Sequence, residues 1–249
     1  MSKPVRVLQV ALSLDPGGTE RLVVELARRL PSGFESAVCC LDSPGAWGEE
    51  LRREGVPVHA LNRRPGFHPS LGARIAAVAR DTGAGVIHCH QYSPYVYGCL
   101  AKLLRPGLRL VFTEHGRLSQ APPSPKRARV NPWLARIPGA RFAVCEELRS
   151  FLIAEGFPPA RIGVVYNGID VGPPPTPSDR AEARAALGAG PDELVIGTVA
   201  RLDPVKDLAG AIAAAARVRS ARPGVHLVIV GDGPERAALE SAARSTGSP

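Results

Sequence analysis

The chain has 249 residues, 45% hydrophobic and 22% charged, an ordinary globular composition long enough for two domains. No apolar run approaches the roughly 20 residues that span a bilayer, and Met1-Ser-Lys-Pro4 leads straight into strand-like residues without a signal-peptide pattern. The net charge of +8 is almost all arginine, dispersed in pairs such as Arg28-Arg29 and Arg63-Arg64, which suits phosphates, nucleotides or an anionic membrane. With six Phe and no helix-turn-helix or RNA-binding signature, no nucleic-acid partner is expected. The five cysteines, Cys39, Cys40, Cys89, Cys99 and Cys145, are odd in number and lack metal spacing, so they read as buried thiols in a reducing cytoplasm.

Residues 5–13 form an apolar strand, and Asp15-Pro-Gly-Gly-Thr-Glu20 a turn with Thr19 as a plausible N-cap. Leu22, Val23, Leu26, Ala27 and Leu30 then recur at helical spacing. The turn lacks a full GxGxxG, so no standard dinucleotide fingerprint is present, although Gly17-Gly18 can bring backbone N–H groups close to a phosphate or sugar. The rhythm continues with strands at 36–41, 56–61, 85–90, 109–113, 141–144 and 162–166, and helices near 46–54, 71–81, 94–104 and 146–155. One irregular basic insert, residues 121–133, interrupts it. Such alternation predicts an α/β fold with a mostly parallel, doubly wound sheet. Residues 172–180, rich in proline, read as a linker between an N-terminal Rossmann-like domain (1–171) and a partial second one (181–249). The second contains a short helix to Leu187, a strand at 194–199, a helix at 205–221 opened by Asp203-Pro204, a strand at 225–230 and a helix to about Arg244.

Open parallel sheets do their chemistry at the carboxyl ends of their strands. Those ends carry Gly17-Gly18, His90-Gln91, Glu114-His115, Asn167-Gly168, Arg201 with Lys206, and Gly231-Asp232-Gly233. Six such ends over two units suggest a ligand cleft between two Rossmann-like domains. Arg201 can grip two phosphate oxygens and Lys206 adds a point charge, next to a helix N-terminus that favours anions. His115 is a catalytic or sugar-binding imidazole, or a hydrogen-bonded structural one. His88 lies inside a strand and reads as structural, with His90 nearer the rim. Glu114 either orients His115 or serves as a base, but alternation lets only one of the two face the cleft. No paired acidic motif suggests a divalent metal, and no nucleophile motif appears.

These stretches resemble a known family. Pro16-Gly-Gly-Thr-Glu-Arg21, Val86-Ile-His-Cys-His90, Thr113-Glu-His-Gly116, Val164-Val-Tyr-Asn-Gly-Ile-Asp170, Gly197-Thr-Val-Ala-Arg-Leu-Asp-Pro-Val-Lys206 and Val228-Ile-Val-Gly-Asp-Gly-Pro234 occur in the order of retaining GT-B glycosyltransferases of the family 4-like, group 1 type. The resemblance implies a metal-independent transfer of sugar from a nucleotide-sugar donor to a glycan or lipid-linked acceptor, with no cofactor beyond that substrate. It implies that Arg201 and Lys206 neutralise the donor diphosphate, helped by Gly17 and Gly18. Glu114 and His115 would then lie at the reacting sugar, His90 on the acceptor side, and Gly231, Asp232, Gly233 and Asn167 at the nucleotide and sugar. The insert at Lys126–Arg136, with Trp133, would face a lipid-linked or anionic acceptor. The expected setting is cytoplasmic, with possible peripheral contact at the inner face of the membrane. The family's paired donor-site glutamates have no counterpart, so the chain is expected to be C-terminally truncated. Rival readings are a non-catalytic remnant or acceptor-binding module, a sugar-nucleotide epimerase of the same fold, and a phosphate-binding regulator.

Overall fold

The computed structural model describes residues 4–116 and 122–246. Ala121 of the insert, and residues 1–3 and 247–249 at the two ends, lie outside them. The chain divides into two compact units, residues 1–168 and 169–249.

The first unit is built on seven parallel strands: β1 (Val5–Ala11), β2 (Phe34–Cys40), β3 (Val58–Ala60), β4 (Val86–His90), β5 (Arg109–Glu114), β6 (Ala140–Ala143) and β7 (Gly163–Val164). Helices α1 (Gly18–Arg28), α2 (Gly45–Arg53), α3 (Ser70–Asp81), α4 (Tyr92–Leu104), α5 (Pro125–Leu134) and α6 (Glu146–Ala154) connect them. The sheet order is β3-β2-β1-β4-β5-β6-β7. From β1 the chain winds one way, and from β4 the other. The β1/β4 junction is therefore the switch point, where the connecting loops leave in opposite directions and open a crevice.

Because side chains alternate across a strand, β2 sends Ala37 and Cys39 into one core, with Leu8, Ile75 and Phe112, and Val38 and Cys40 into another, with Val23, Val24 and Leu51. Cys39, Cys40, Cys89 and Cys99 are buried free thiols, and Cys145 is half-buried.

Several elements depart from the sequence expectation. Helix α1 starts one residue before Thr19, on an extended Gly17, so Thr19 sits in its first turn and does not cap it. The basic insert is a helix, α5. Ser124 caps it by accepting from the Arg127 N–H at 3.4 Å, and Pro125 occupies the first turn, where its missing N–H costs nothing. Its anchor is polar: buried Asn131 accepts from the Tyr92 hydroxyl at 2.7 Å and donates to the Glu155 carbonyl at 2.8 Å. The strand expected at 162–166 shrinks to two residues, because it lies at the sheet edge with β6 as its one neighbour.

The second unit holds a two-stranded parallel sheet, β8 (Leu194–Val199) and β9 (Val225–Val230), with helices α7 (Pro177–Ala186), α8 (Leu208–Ala221) and α9 (Arg236–Ser245). Helix α7 begins inside the stretch expected as linker, capped reciprocally by Thr176 and Asp179. Asp203-Pro204 opens only one 3-10 turn, Pro204–Lys206. The following helix is capped instead by Asp207, held at φ 47° with its carboxylate accepting from Gly210 N–H at 3.3 Å. A small core gathers Leu202, Leu208, Ile212 and Leu239.

Candidate functional site

In the first unit, register and alternation assemble a polar cluster at the switch point. Gln9 of β1 pairs with His88 of β4, and His90 pairs with Thr113 of β5. These residues share the sheet face that carries α1 and α2, and His115 continues it beyond β5. Gln9 and His90 are fully buried. His90 Nε2 lies 2.9 Å from Gln9 Oε1, and His90 Nδ1 lies 2.9 Å from His115 Nε2. His88 Nε2 meets the Thr113 hydroxyl at 2.8 Å, and its ring lies 4.1 Å from that of His90. At the end of this chain, His115 Nδ1 is buried with no hydrogen-bond partner among the described residues. An unpaired buried acceptor costs about 1–3 kcal/mol, a reason to look for a ligand there.

Burial removes charge from the cluster. It pushes His88 and His115 down to about 4, and His90 well below the ordinary imidazole value, with the neighbouring imidazoles adding to the effect on His88 and His90. Near pH 7 the cluster is neutral. It suits a hydroxyl, not an anion.

Glu114 points to the opposite face, alongside Leu110 and Phe112, and takes no part in the histidine chain. Burial raises its carboxyl to about 7, opposed by nearby Arg127 and by backbone N–H groups of Gly116 and His115. His90, expected near the rim, is instead the buried middle of the chain.

Gln91 was legible only as a strand-end residue, yet it is one of three non-glycine residues with positive φ (72°) among those described. Such backbone is costly and clusters at functional sites. Its N–H donates to the Thr113 carbonyl at 2.9 Å, and its carboxamide reaches the Thr19 hydroxyl at 3.5 Å, joining the end of β4 to the first turn of α1. At that N-terminus a Cβ on Gly17 would collide with the Glu20 carboxylate, while one on Gly18 would meet nothing within 4 Å. Asn167 is exposed in coil at the end of the first unit. On α5, Arg127 stacks 4.1 Å from the Tyr92 ring and pairs with buried Glu155 at 3.2 Å, whereas Trp133 is exposed beside Arg136, 4.2 Å away.

In the second unit two loops are fastened by their backbones. Ala200 N–H donates to the Val230 carbonyl at 3.0 Å, and Leu202 N–H to the Asp232 carbonyl at 2.9 Å. Gly231 (φ 155°) and Gly233 (φ 157°) permit this approach, since a Cβ on either would strike the carbonyl oxygen of Ala200 or Leu202. The loops hold Arg201 and Lys206 at the carboxyl end of β8, both exposed. Arg201 pairs with Asp203 at 3.2 Å. Asp232 is committed locally, accepting from Gly233 N–H at 2.8 Å and from Arg236 at 3.0 Å, which holds its carboxyl below the usual range. A concavity of about 470 Å³ in this unit is lined by Ile212, Leu227, Ile229 and Leu239 together with Arg219, His226, Arg236 and Glu240, and neither Arg201 nor Lys206 lines it.

Among the described residues no cluster of three or more His, Cys, Asp or Glu is arranged to hold a metal, and no helix is long and apolar enough to cross a membrane.

Comparison with known proteins agrees with this geometry. Residues 179–248 match the group 1 glycosyl transferases. D-inositol 3-phosphate glycosyltransferases are similar over part of the chain. That of Segniliparus rotundus is 45% identical over 74 residues, covering 30% of this chain and 16% of its own. That of Mycobacterium tuberculosis is 40% identical over 96 residues, covering 39% and 19%. The Anabaena protein HepE, solved with UDP, superposes with a TM-score of 0.79 at 25% identity over 98% of this chain and 66% of its own. This chain thus spans just under two-thirds of HepE. The fold is GT-B, and residues 16–172, more than half of the chain, match glycosyltransferase family 4, the family to which the chain belongs.

Proposed function

We propose that the chain serves transfer of a sugar from a nucleotide-sugar donor to a hydroxyl of a glycan or lipid-linked acceptor, with retention and without a metal ion. The observation that carries the reading is the glycine-fastened pair of loops presenting Arg201 and Lys206, two exposed cations beside the N-terminal end of α8. Such an arrangement stabilises the charge that grows on a departing nucleoside diphosphate without needing to rearrange. HepE has been solved with UDP and with UDP-glucose, which supports a uridine diphosphate sugar as the donor class. The neutral histidine cluster in the first unit suits a sugar hydroxyl. Gly17 and Gly18, at the start of α1, add backbone N–H groups for phosphate or sugar oxygens. Exposed Trp133 beside Arg136 suits peripheral contact with an anionic membrane on the cytoplasmic side.

The test is incubation of the full chain with UDP-glucose and related donors plus polyol and lipid-linked acceptors, followed by phosphorus and proton NMR. Released UDP, a product anomer matching that of the donor, and insensitivity to a chelator are expected. Inverted product or chelator-sensitive turnover would overturn the corresponding part of the reading. One observation favours a second reading, a binding module without turnover: strands β8 and β9 pair only with each other among the described residues. UDP binding without turnover on any donor would select it.

A further inference from the structure

The buried hydrogen bonds at the switch point carry an order of protons. The Gln9 carboxamide turns its oxygen, which can only accept, toward His90 Nε2 at 2.9 Å, and that orientation places the proton of His90 on Nε2. In a neutral imidazole the other nitrogen is then a bare acceptor. His90 Nδ1 must accordingly receive its bond from His115, which puts the His115 proton on Nε2. The remaining nitrogen, His115 Nδ1, is left with a lone pair, and it is one of three buried side-chain atoms without a hydrogen-bond partner among the described residues. Gln9 and His90 come from the adjacent strands β1 and β4, and His115 directly follows the end of β5, so the chain is anchored at the carboxyl edge of the sheet.

We infer that Gln9 is a positioning residue: acting through His90, it fixes His115 as the Nε2–H tautomer and presents Nδ1 as an acceptor for a ligand hydroxyl. That the ligand is a sugar rests on the proposed function; the proton order does not. Burial keeps all three imidazoles neutral near pH 7, so the order persists under ordinary conditions. Gln9 touches neither the ligand nor the reacting atoms. Its effect reaches them through two hydrogen bonds.

The experiment is histidine-detected nitrogen NMR of the full chain at pH 7.5, with His115 assigned by loss of its signals in His115→Ala. In the native protein the expected result is a proton on Nε2 and a bare Nδ1 for both His90 and His115. In Gln9→Met, which keeps the side-chain length and loses the oxygen, His115 should pass from one tautomer to a mixture of two. A proton on His115 Nδ1 in the native protein would overturn the inference, and that measurement stands even if Gln9→Met does not fold. A folded Gln9→Met protein with an unchanged His115 tautomer would also overturn it, since Gln9 would then be mere packing. Neither readout requires sugar transfer, so failure of the proposed function and failure of the proton order remain distinguishable.

Discussion

The two units use the same local vocabulary and reach different degrees of burial. In the first, strand β4 (Val-Ile-His-Cys-His) lies in the interior of a seven-stranded sheet, and Ile87, Cys89 and His90 are all fully buried. In the second, β8 (Leu-Val-Ile-Gly-Thr-Val) has the more apolar, β-branched sequence, yet Leu194, Ile196 and Val199 are exposed, Val199 by 84%. An apolar run specifies a strand, but its burial depends on what pairs beside it and packs over it. The polar residues divide in the same way. The first unit buries hydrogen-bonded polar groups, the neutral histidines and Arg141 among them, which favours fixed geometry, whereas the second leaves Arg201 and Lys206 on the surface, where they cost little and stay available.

The widest difference should be in local opening. Amides of β4 and β5 should need about 4 kcal/mol more to open than those of β8 and β9, near a thousandfold in exchange rate. Hydrogen exchange followed by mass spectrometry of the full chain would show it, and equal protection would erase the contrast.

The arginines sharpen the comparison. Arg141, almost fully buried, donates to the Tyr95 hydroxyl at 2.8 Å and to the carbonyls of Gly139, Leu134 and Ile137. Arg141→Leu would take the guanidinium donors from the carbonyls of Gly139 and Ile137, while the Leu134 carbonyl keeps the Tyr95 hydroxyl and the Ile137 N–H, and should cost about 3 kcal/mol in denaturant unfolding of the first unit. Exposed Arg201→Ala should change stability by no more than about 0.5 kcal/mol.

Glu114 supplies a pH test. Its carboxyl is raised from 4.5 to about 7, so the folded state holds a proton that the unfolded state releases between those values. The stability it contributes is complete below pH 4.5 and is lost as pH rises through 7. Glu114→Gln should therefore be more stable than the native protein at pH 8, by on the order of 2–3 kcal/mol, with the advantage fading toward pH 4.5. The histidines, pushed down to about 4, act in the opposite sense, destabilising the fold as pH falls from 6.5, but identically in both proteins. Parallel stability curves would show that Glu114 is not protonated in the fold.

The glycines give the smallest contrast. Gly231→Ala must push aside the Ala200 carbonyl and should destabilise the second unit by about 1–3 kcal/mol, whereas Gly18→Ala, in open space, should shift the first unit by less than about 1 kcal/mol, read from their denaturation midpoints.

Much of this was legible in the sequence, for local reasons. Strands and helices followed from apolar period and length, and strand alternation already implied that Glu114 and His115 face opposite ways. The insert expected to be irregular is helical, because Pro125 at a first turn is compatible with a helix. Asp203-Pro204 hid the true cap, since Asp207 depends on a left-handed backbone that composition does not reveal. The link from Gln9 to His90 spans 81 positions and exists only through the parallel register of β1 and β4, so no spacing rule could find it.

The central claim is that Arg201 and Lys206 hold a nucleoside diphosphate. Calorimetric titration of UDP into the full chain and into Arg201→Ala/Lys206→Ala tests it most directly. The account predicts saturable binding by the native protein and at least a tenfold loss in the variant, about 1.4 kcal/mol, with the fold intact. Equal affinity in both proteins, or no binding at millimolar UDP, would contradict it.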